Sequence, residues 1–148
     1  CGVGAAWRGE PFEAIPVGRG RKLHDGEDVA LLTIGTMGHF ATEALQRIEA
    51  EGRATVAHYD LRFVKPLDDT LLDEVGRRFK KIITIEDGVL RGGVGEAVVK
   101  WFSDNGYTPQ VRTLGIADTF IEHGTPAELY ALCGYDADGV ERAIREML

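Results

Sequence analysis

Serine is nearly missing: Ser103 is the one serine in the 148-residue chain. It lies between Phe102 and Asp104, so a nucleophile elbow of the form Gly-x-Ser-x-Gly is not available. Cysteine is almost as scarce. Cys1 and Cys133 have no metal-ligand spacing, and a single possible pair is no disulfide framework, which suits a reducing cytoplasm. No apolar run approaches the roughly 18 residues of a membrane span, and the amino terminus lacks the charged-then-apolar pattern of a secretion signal. Positive charge is in deficit, with 17 Lys and Arg against 24 Asp and Glu and a net charge of -7. That balance leaves no basic stripe to neutralise phosphates, and the short Arg19-Gly20-Arg21-Lys22 run does not restore one. Neither nucleic acid nor a membrane is an expected partner.

Cofactor and metal motifs are missing too. No glycine is followed by Lys and then Ser or Thr, so a Walker A loop fails. Gly93-Val94-Gly95 begins a dinucleotide fingerprint, but Val98 stands where its third glycine belongs. Further along, Arg112-Thr113 occupy the region of the expected acidic residue. His24, His39, His58 and His123 lie far apart, none paired at helical spacing for a metal. His24 reads as a turn residue, and His39 faces either a site or solvent.

What is there is an α/β pattern with 44% hydrophobic and 28% charged residues, enough for one sizeable core. Its organising stretch is Lys81 to Phe102. The β-branched run Ile82, Ile83, Ile85 predicts a central parallel strand covered on both faces. A glycine-rich turn follows, then a helix with the stripe Val94, Ala97, Val98, Trp101 and Phe102. Before it, Val17 to Leu23 reads as a strand joined through the His24-Asp25-Gly26 turn to Asp28–Ile34, a hairpin that makes one strand antiparallel. Gly35 to Gly38 leads into a helix bearing Phe40, Ala44, Leu45 and Ile48; its free N–H groups suit either tight-turn geometry or an anion. A strand over Ala54–Asp60 ends in a polar loop, and Asp68-Asp69 open a helix carrying Leu71, Leu72, Val75 and Phe79. Gln110–Ile116 is the last strand. Thr125-Pro126-Ala127-Glu128 specifies a capped helix closed by Gly134, and Asp138 with Glu141 repeats the capping pattern for a final helix.

Residues 1–16, rich in Gly and Pro, read as an entering linker, and 17–148 as the domain. Trp7 and Phe12 either pin the linker to a neighbouring surface or pack on this domain's own core. A beginning at Cys1 points to a piece of a longer chain.

Five stretches carry a resemblance: IPVGRGRKL, ALLTIGTMG, YDLRFVKPLD, TIEDGVLRGGVGEAV and LGIADTFIEHGTPAELYALCGYDADGV. In order and spacing they resemble the C-terminal domain of the 1-deoxy-D-xylulose 5-phosphate synthase family, within the transketolase-like thiamine diphosphate enzymes. The resemblance implies a three-layer α/β/α domain with a mixed five-stranded sheet, four strands parallel and one antiparallel. It also implies an enzyme that condenses pyruvate with D-glyceraldehyde 3-phosphate with loss of carbon dioxide, using thiamine diphosphate and Mg2+. The groups that hold those cofactors belong to two upstream domains, so no catalytic, cofactor or metal residue is expected here, and the chain by itself is expected to be inactive. Its partners would be the cofactor-binding domains of the same enzyme, within a homodimer. Arg62, Lys65, Glu86, Asp87 and Arg91, on loops leaving two neighbouring parallel strands, are the candidates for that docking. Two other readings compete: the same domain of a transketolase or a 2-oxoacid dehydrogenase β chain, and a stand-alone α/β module binding an anion at Gly35–Gly38.

Overall fold

A computed structural model describes residues 14–148; Trp7 and Phe12 lie outside them. Nearly continuous apolar runs, covered on both faces, build the middle of the sheet. The strands are β1 (Arg21–His24), β2 (Val29–Thr33), β3 (Val56–Asp60), β4 (Lys81–Val89) and β5 (Gln110–Ile116). They lie in the order β1-β3-β2-β4-β5, with β1 antiparallel to β3 and all other pairings parallel. Successive residues of a strand face opposite sides. Val29, Leu31, Ile83 and Ile85 therefore meet α1 (Gly38–Glu49) and α5 (Ala137–Met147), while Ala30, Leu32 and Ile82 meet α2 (Asp69–Arg78) and α3 (Val94–Asp104). The result is the expected three-layer α/β/α sandwich, with one core on each face of the sheet. Each fully buried Ile or Phe contributes roughly 1.5–3 kcal/mol.

The helices bury the stripes that spacing predicts: Ala44, Leu45 and Ile48 on α1, Leu71, Leu72 and Val75 on α2, Val98 and Phe102 on α3. Asp68 caps α2 by accepting from the Leu71 N–H at 3.1 Å. The Thr125 and Glu128 capping box opens α4 (Pro126–Cys133), and Gly134 ends it at φ 74°.

Three expectations change. Although one strand is antiparallel, β1 does not form a hairpin with β2; it pairs with β3, and the connecting turn crosses the amino end of β3. Gly26 makes the crossing possible, since a Cβ there would lie 2.4 Å from the Val56 carbonyl carbon. The physical reason is burial: all of β2 is buried and is bonded on both edges, by β3 and β4, whereas β1 is exposed throughout and suits an edge. Accordingly β2 is the middle strand, and β4 lies between it and the β5 edge. Finally, α5 is capped by Asp136, which accepts from the Gly139 N–H at 2.9 Å. Asp138 instead pairs with Arg47 of α1 at 2.6 Å, bracing the two helices on that face.

Candidate functional site at the carboxyl edge

The four parallel strands end at one edge of the sheet, where loops of α/β proteins meet ligands and partners. Its centre is the turn between β4 and α3. Glu86 is buried, and its two carboxylate oxygens accept from the N–H groups of Val94 at 2.8 Å and Gly95 at 2.9 Å. These are donors that a helix start leaves without intrahelical partners, and the positive end of the helix dipole favours the negative charge. Gly93 is required for this approach: a Cβ would lie 2.5 Å from Glu86 Oε2 and 2.6 Å from the Val89 carbonyl oxygen. The glycine loop thus admits the chain's own carboxylate at the place where a nucleotide-binding loop admits phosphate.

Asp87 faces the other way. It is exposed and accepts from the Tyr135 hydroxyl at 2.9 Å; burial, then this bond, raises the pKa of that hydroxyl. The adjacent carboxylates therefore serve opposite faces of the sheet and form no acid/base pair. Beside Asp87 a cleft of about 440 Å³ is lined by Ile121, His123, Leu129, Tyr130 and Cys133, among others. Arg91 reaches Asp118 at 3.1 Å, joining this turn to the β5–α4 loop. Both side chains are well exposed, so the pair contributes about 0–1 kcal/mol.

Arg62 and Lys65 lie beyond the end of β3. Because β2 separates β3 from β4, the two charged loops are not neighbours; they flank the turn after β2, about 10 Å apart at two strand spacings. Arg62 adopts φ 57°, and its N–H donates to Asp60 Oδ1 at 3.1 Å. Asp60 also accepts from Arg21 of β1 at 3.1 Å. Lys65 is exposed and, among the described residues, makes no ion pair. Between the two loops, Gly35 holds φ 67° in a single 3-10 turn, Gly35–Met37, whose Met37 is buried. His39 and Thr36 are exposed there, the imidazole Nδ1 meeting the Thr36 carbonyl oxygen.

The strand pattern also places His58 inward. This fully buried ring meets Thr33 Oγ1 through Nε2 at 2.8 Å. Desolvation lowers its pKa to about 4, partly opposed by the Asp60 charge. Period-two alternation along β3 was the signal for it, since His58 shares a face with Val56. A thiamine diphosphate and Mg2+ site does not fit the residues at this edge. The α3 amino terminus is filled by Glu86, and among the described residues no three His, Cys, Asp or Glu side chains come together for a metal.

Comparison with known proteins matches residues 18–140 to the family described as transketolase, C-terminal domain. The chain is 54% identical over 134 residues to the 1-deoxy-D-xylulose-5-phosphate synthase of Bacteroides fragilis, covering 90% of this chain and 21% of that protein. Identity and coverage are the same, 54%, 90% and 21%, for the synthase of Bacteroides thetaiotaomicron. The chain thus spans about a fifth of the length of these curated relatives. Among solved structures, a split-gene transketolase described as an inactive beta4 tetramer superimposes with a TM-score of 0.83 at 34% identity, covering 90% of this chain and 43% of that one.

Proposed function

Since the chain belongs to the transketolase C-terminal domain family, we propose that it is the C-terminal domain of a 1-deoxy-D-xylulose-5-phosphate synthase and serves assembly rather than chemistry. The enzyme would join pyruvate to D-glyceraldehyde 3-phosphate with loss of carbon dioxide, as a cytoplasmic homodimer whose thiamine diphosphate and Mg2+ are held by upstream domains. Residues 1–16 would be the linker from those domains. Arg62, Lys65, Asp87 and Arg91 would meet them at the carboxyl edge. Glu86 would contribute indirectly, by holding the β4–α3 turn in shape.

One observation carries this reading: the anion-seeking helix start at the edge is filled by Glu86, leaving polar side chains that present a surface and no reaction centre. The deciding experiment is calorimetric titration of the purified chain with thiamine diphosphate and Mg2+, alongside a product assay on the full-length polypeptide that contains it. We expect no saturable binding by the chain and turnover by the full-length form. Micromolar binding or product formation by the chain alone would overturn the proposal.

A further inference from the structure

The helix α4 is attached differently from its neighbours. Each of α1, α2, α3 and α5 buries an apolar stripe, whereas α4 buries none of its residues, although Glu128 is the one charged residue in it. It is held by its ends, through the Thr125 and Glu128 capping box at the start and the left-handed Gly134 at the finish. A concave surface opens on each side of it. One, of about 430 Å³, is lined by Phe40, Ala127 and Ala137 among others, and the second is the cleft of about 440 Å³ beside Asp87; Pro126 and Tyr130 line both. Clefts of this volume, mostly apolar with a few convergent polar groups, are the usual form of a small-molecule site.

The cleft beside Asp87 has the more selective chemistry. Two of its lining rings, Tyr130 and Tyr135, lie 5.5 Å apart at 53°. Tyr135 is buried, and its hydroxyl donates to Asp87 Oδ1 at 2.9 Å, which fixes the orientation of that carboxylate at the cleft. Glu122 is a second carboxylate in the lining, which contains no Lys or Arg. Neither acid makes an ion pair among the described residues, and Arg91 of the same turn is committed to Asp118. His123 is the one lining side chain able to carry positive charge. Two like charges on one apolar concavity repel each other and leave it complementary to a cation. Although Asp87, Glu122, His123 and Cys133 all line the cleft, among the described residues no three such groups come together for a metal, so the cation is organic. The faces of the tyrosine rings attract an ammonium group as well.

We propose that the cleft between α4 and the carboxyl ends of β4 and β5 binds a small organic cation, an ammonium group carried on an aromatic or branched apolar body. Asp87 and Glu122 hold the ammonium group, and the body lies against Ile121, Leu129 and Tyr130. In this arrangement α4 is the wall that adjusts. Tyr130 and Cys133 flank the core on that face only as partly buried neighbours, so the helix can close on a ligand while the buried residues stay in place. The site needs no residue outside this domain and stands apart from the assembly role proposed above.

The test titrates the chain, and the full-length polypeptide that contains it, with phenethylammonium chloride, following amide chemical shifts and heat. The expected result is saturable binding by both, with shifts at Asp87 and from Ile121 to Tyr135. 2-Phenylethanol, the neutral analogue, should bind about tenfold more weakly, the factor that one charge-assisted hydrogen bond supplies. Glu122→Gln and Asp87→Asn should each weaken the ammonium compound several-fold while leaving the alcohol unchanged. Leu129→Trp should fill the cleft and abolish binding; because α4 contributes no buried residue, the variant should keep the melting temperature of the chain to within a few degrees. Equal affinity for the ammonium compound and the alcohol would overturn the choice of a cation. No saturable shifts by about 10 mM, or binding that survives Leu129→Trp, would overturn the site. Binding by the chain that vanishes in the full-length polypeptide would assign the cleft to a contact within the longer protein and overturn it too. None of these outcomes bears on the assembly role, which the cofactor titration decides.

Discussion

Replacing Glu86 should reveal how much of the domain's stability depends on one inward carboxylate. In Glu86→Ala the Val94 and Gly95 N–H groups lose partners at 2.8 and 2.9 Å, and Gly95 is buried where water replaces the acceptor poorly. Charge-assisted hydrogen bonds are worth about 1.5–3 kcal/mol each, and one of the two N–H groups can be partly rehydrated, so the net cost is about 3 kcal/mol. For a chain of this size that is a fall in Tm of roughly 10 °C. Glu86→Gln keeps one carbonyl acceptor but no charge for the helix dipole, and should lose about half as much. Glu86→Asp is one methylene too short to reach both donors and should behave more like Ala. Urea and thermal melts of the purified chain give the ranking Glu, Gln, then Asp and Ala. A value for Glu86→Ala within about 0.5 kcal/mol of the unaltered chain would refute the view that the glycine loop exists to admit this side chain.

Acid should loosen the fold through His58. Its folded pKa of about 4 lies below the ordinary 6.5, so the unfolded state binds more protons between those values and stability falls as pH drops from about 6.5 towards 4. The full loss is on the order of 3 kcal/mol. Urea melts at pH 7 and 4.5 should show this decline, and His58→Gln, which does not titrate, should flatten it. Gly35→Ala should cost about 1 kcal/mol or more, because Gly35 holds φ 67°. Gly38→Ala should be close to neutral, because Gly38 has φ -57° and the nearest atom to a new Cβ is 3.5 Å away; thermal melts separate the two, and an equal loss would refute the assignment. Thr84 Oγ1 is buried and has no hydrogen-bond partner among the described residues, so Thr84→Val should be neutral or stabilising by up to about 1 kcal/mol, and a clear loss of Tm would reveal a partner for that hydroxyl.

The elements legible in the sequence are those specified by local patterns. Ile82, Ile83 and Ile85 mark a doubly covered strand because each face of the sheet demands apolar atoms, and Thr125 with Glu128 marks a helix start because both cap bonds close within four residues. The partner of β1 was not legible. A turn sequence such as His24-Asp25-Gly26 permits a tight reversal, but whether the next strand lands beside β1 or past β3 depends on burial of β2 from both edges, a tertiary requirement. Glu86 is expected at the docking surface, and its inward role at the start of α3 was not legible for a different reason. A glycine loop before a helix resembles phosphate-binding patterns, yet a carboxylate at the end of the preceding strand is also an anion, and Gly93 makes room for it. Asp136 outcompeted Asp138 as a cap because Gly134 ends α4 in the left-handed region, and the chain turns into α5 at once.

The crossing at Gly26 has a consequence for the order in which the domain assembles. β1 is synthesised first among the described strands, but its only partner among them, β3, begins at Val56, and its register pairs Arg21 with Asp60 at a sequence separation of 39. No local hairpin can hold it in the meantime. This four-residue, exposed strand can add only once β3 is there to receive it. Strands of that kind open and close at low cost, so amide exchange at Arg21 to His24 should be the fastest in the sheet. Loss of β1 is therefore the opening of the sheet that leaves both cores closed, since neither core contains a residue of that strand.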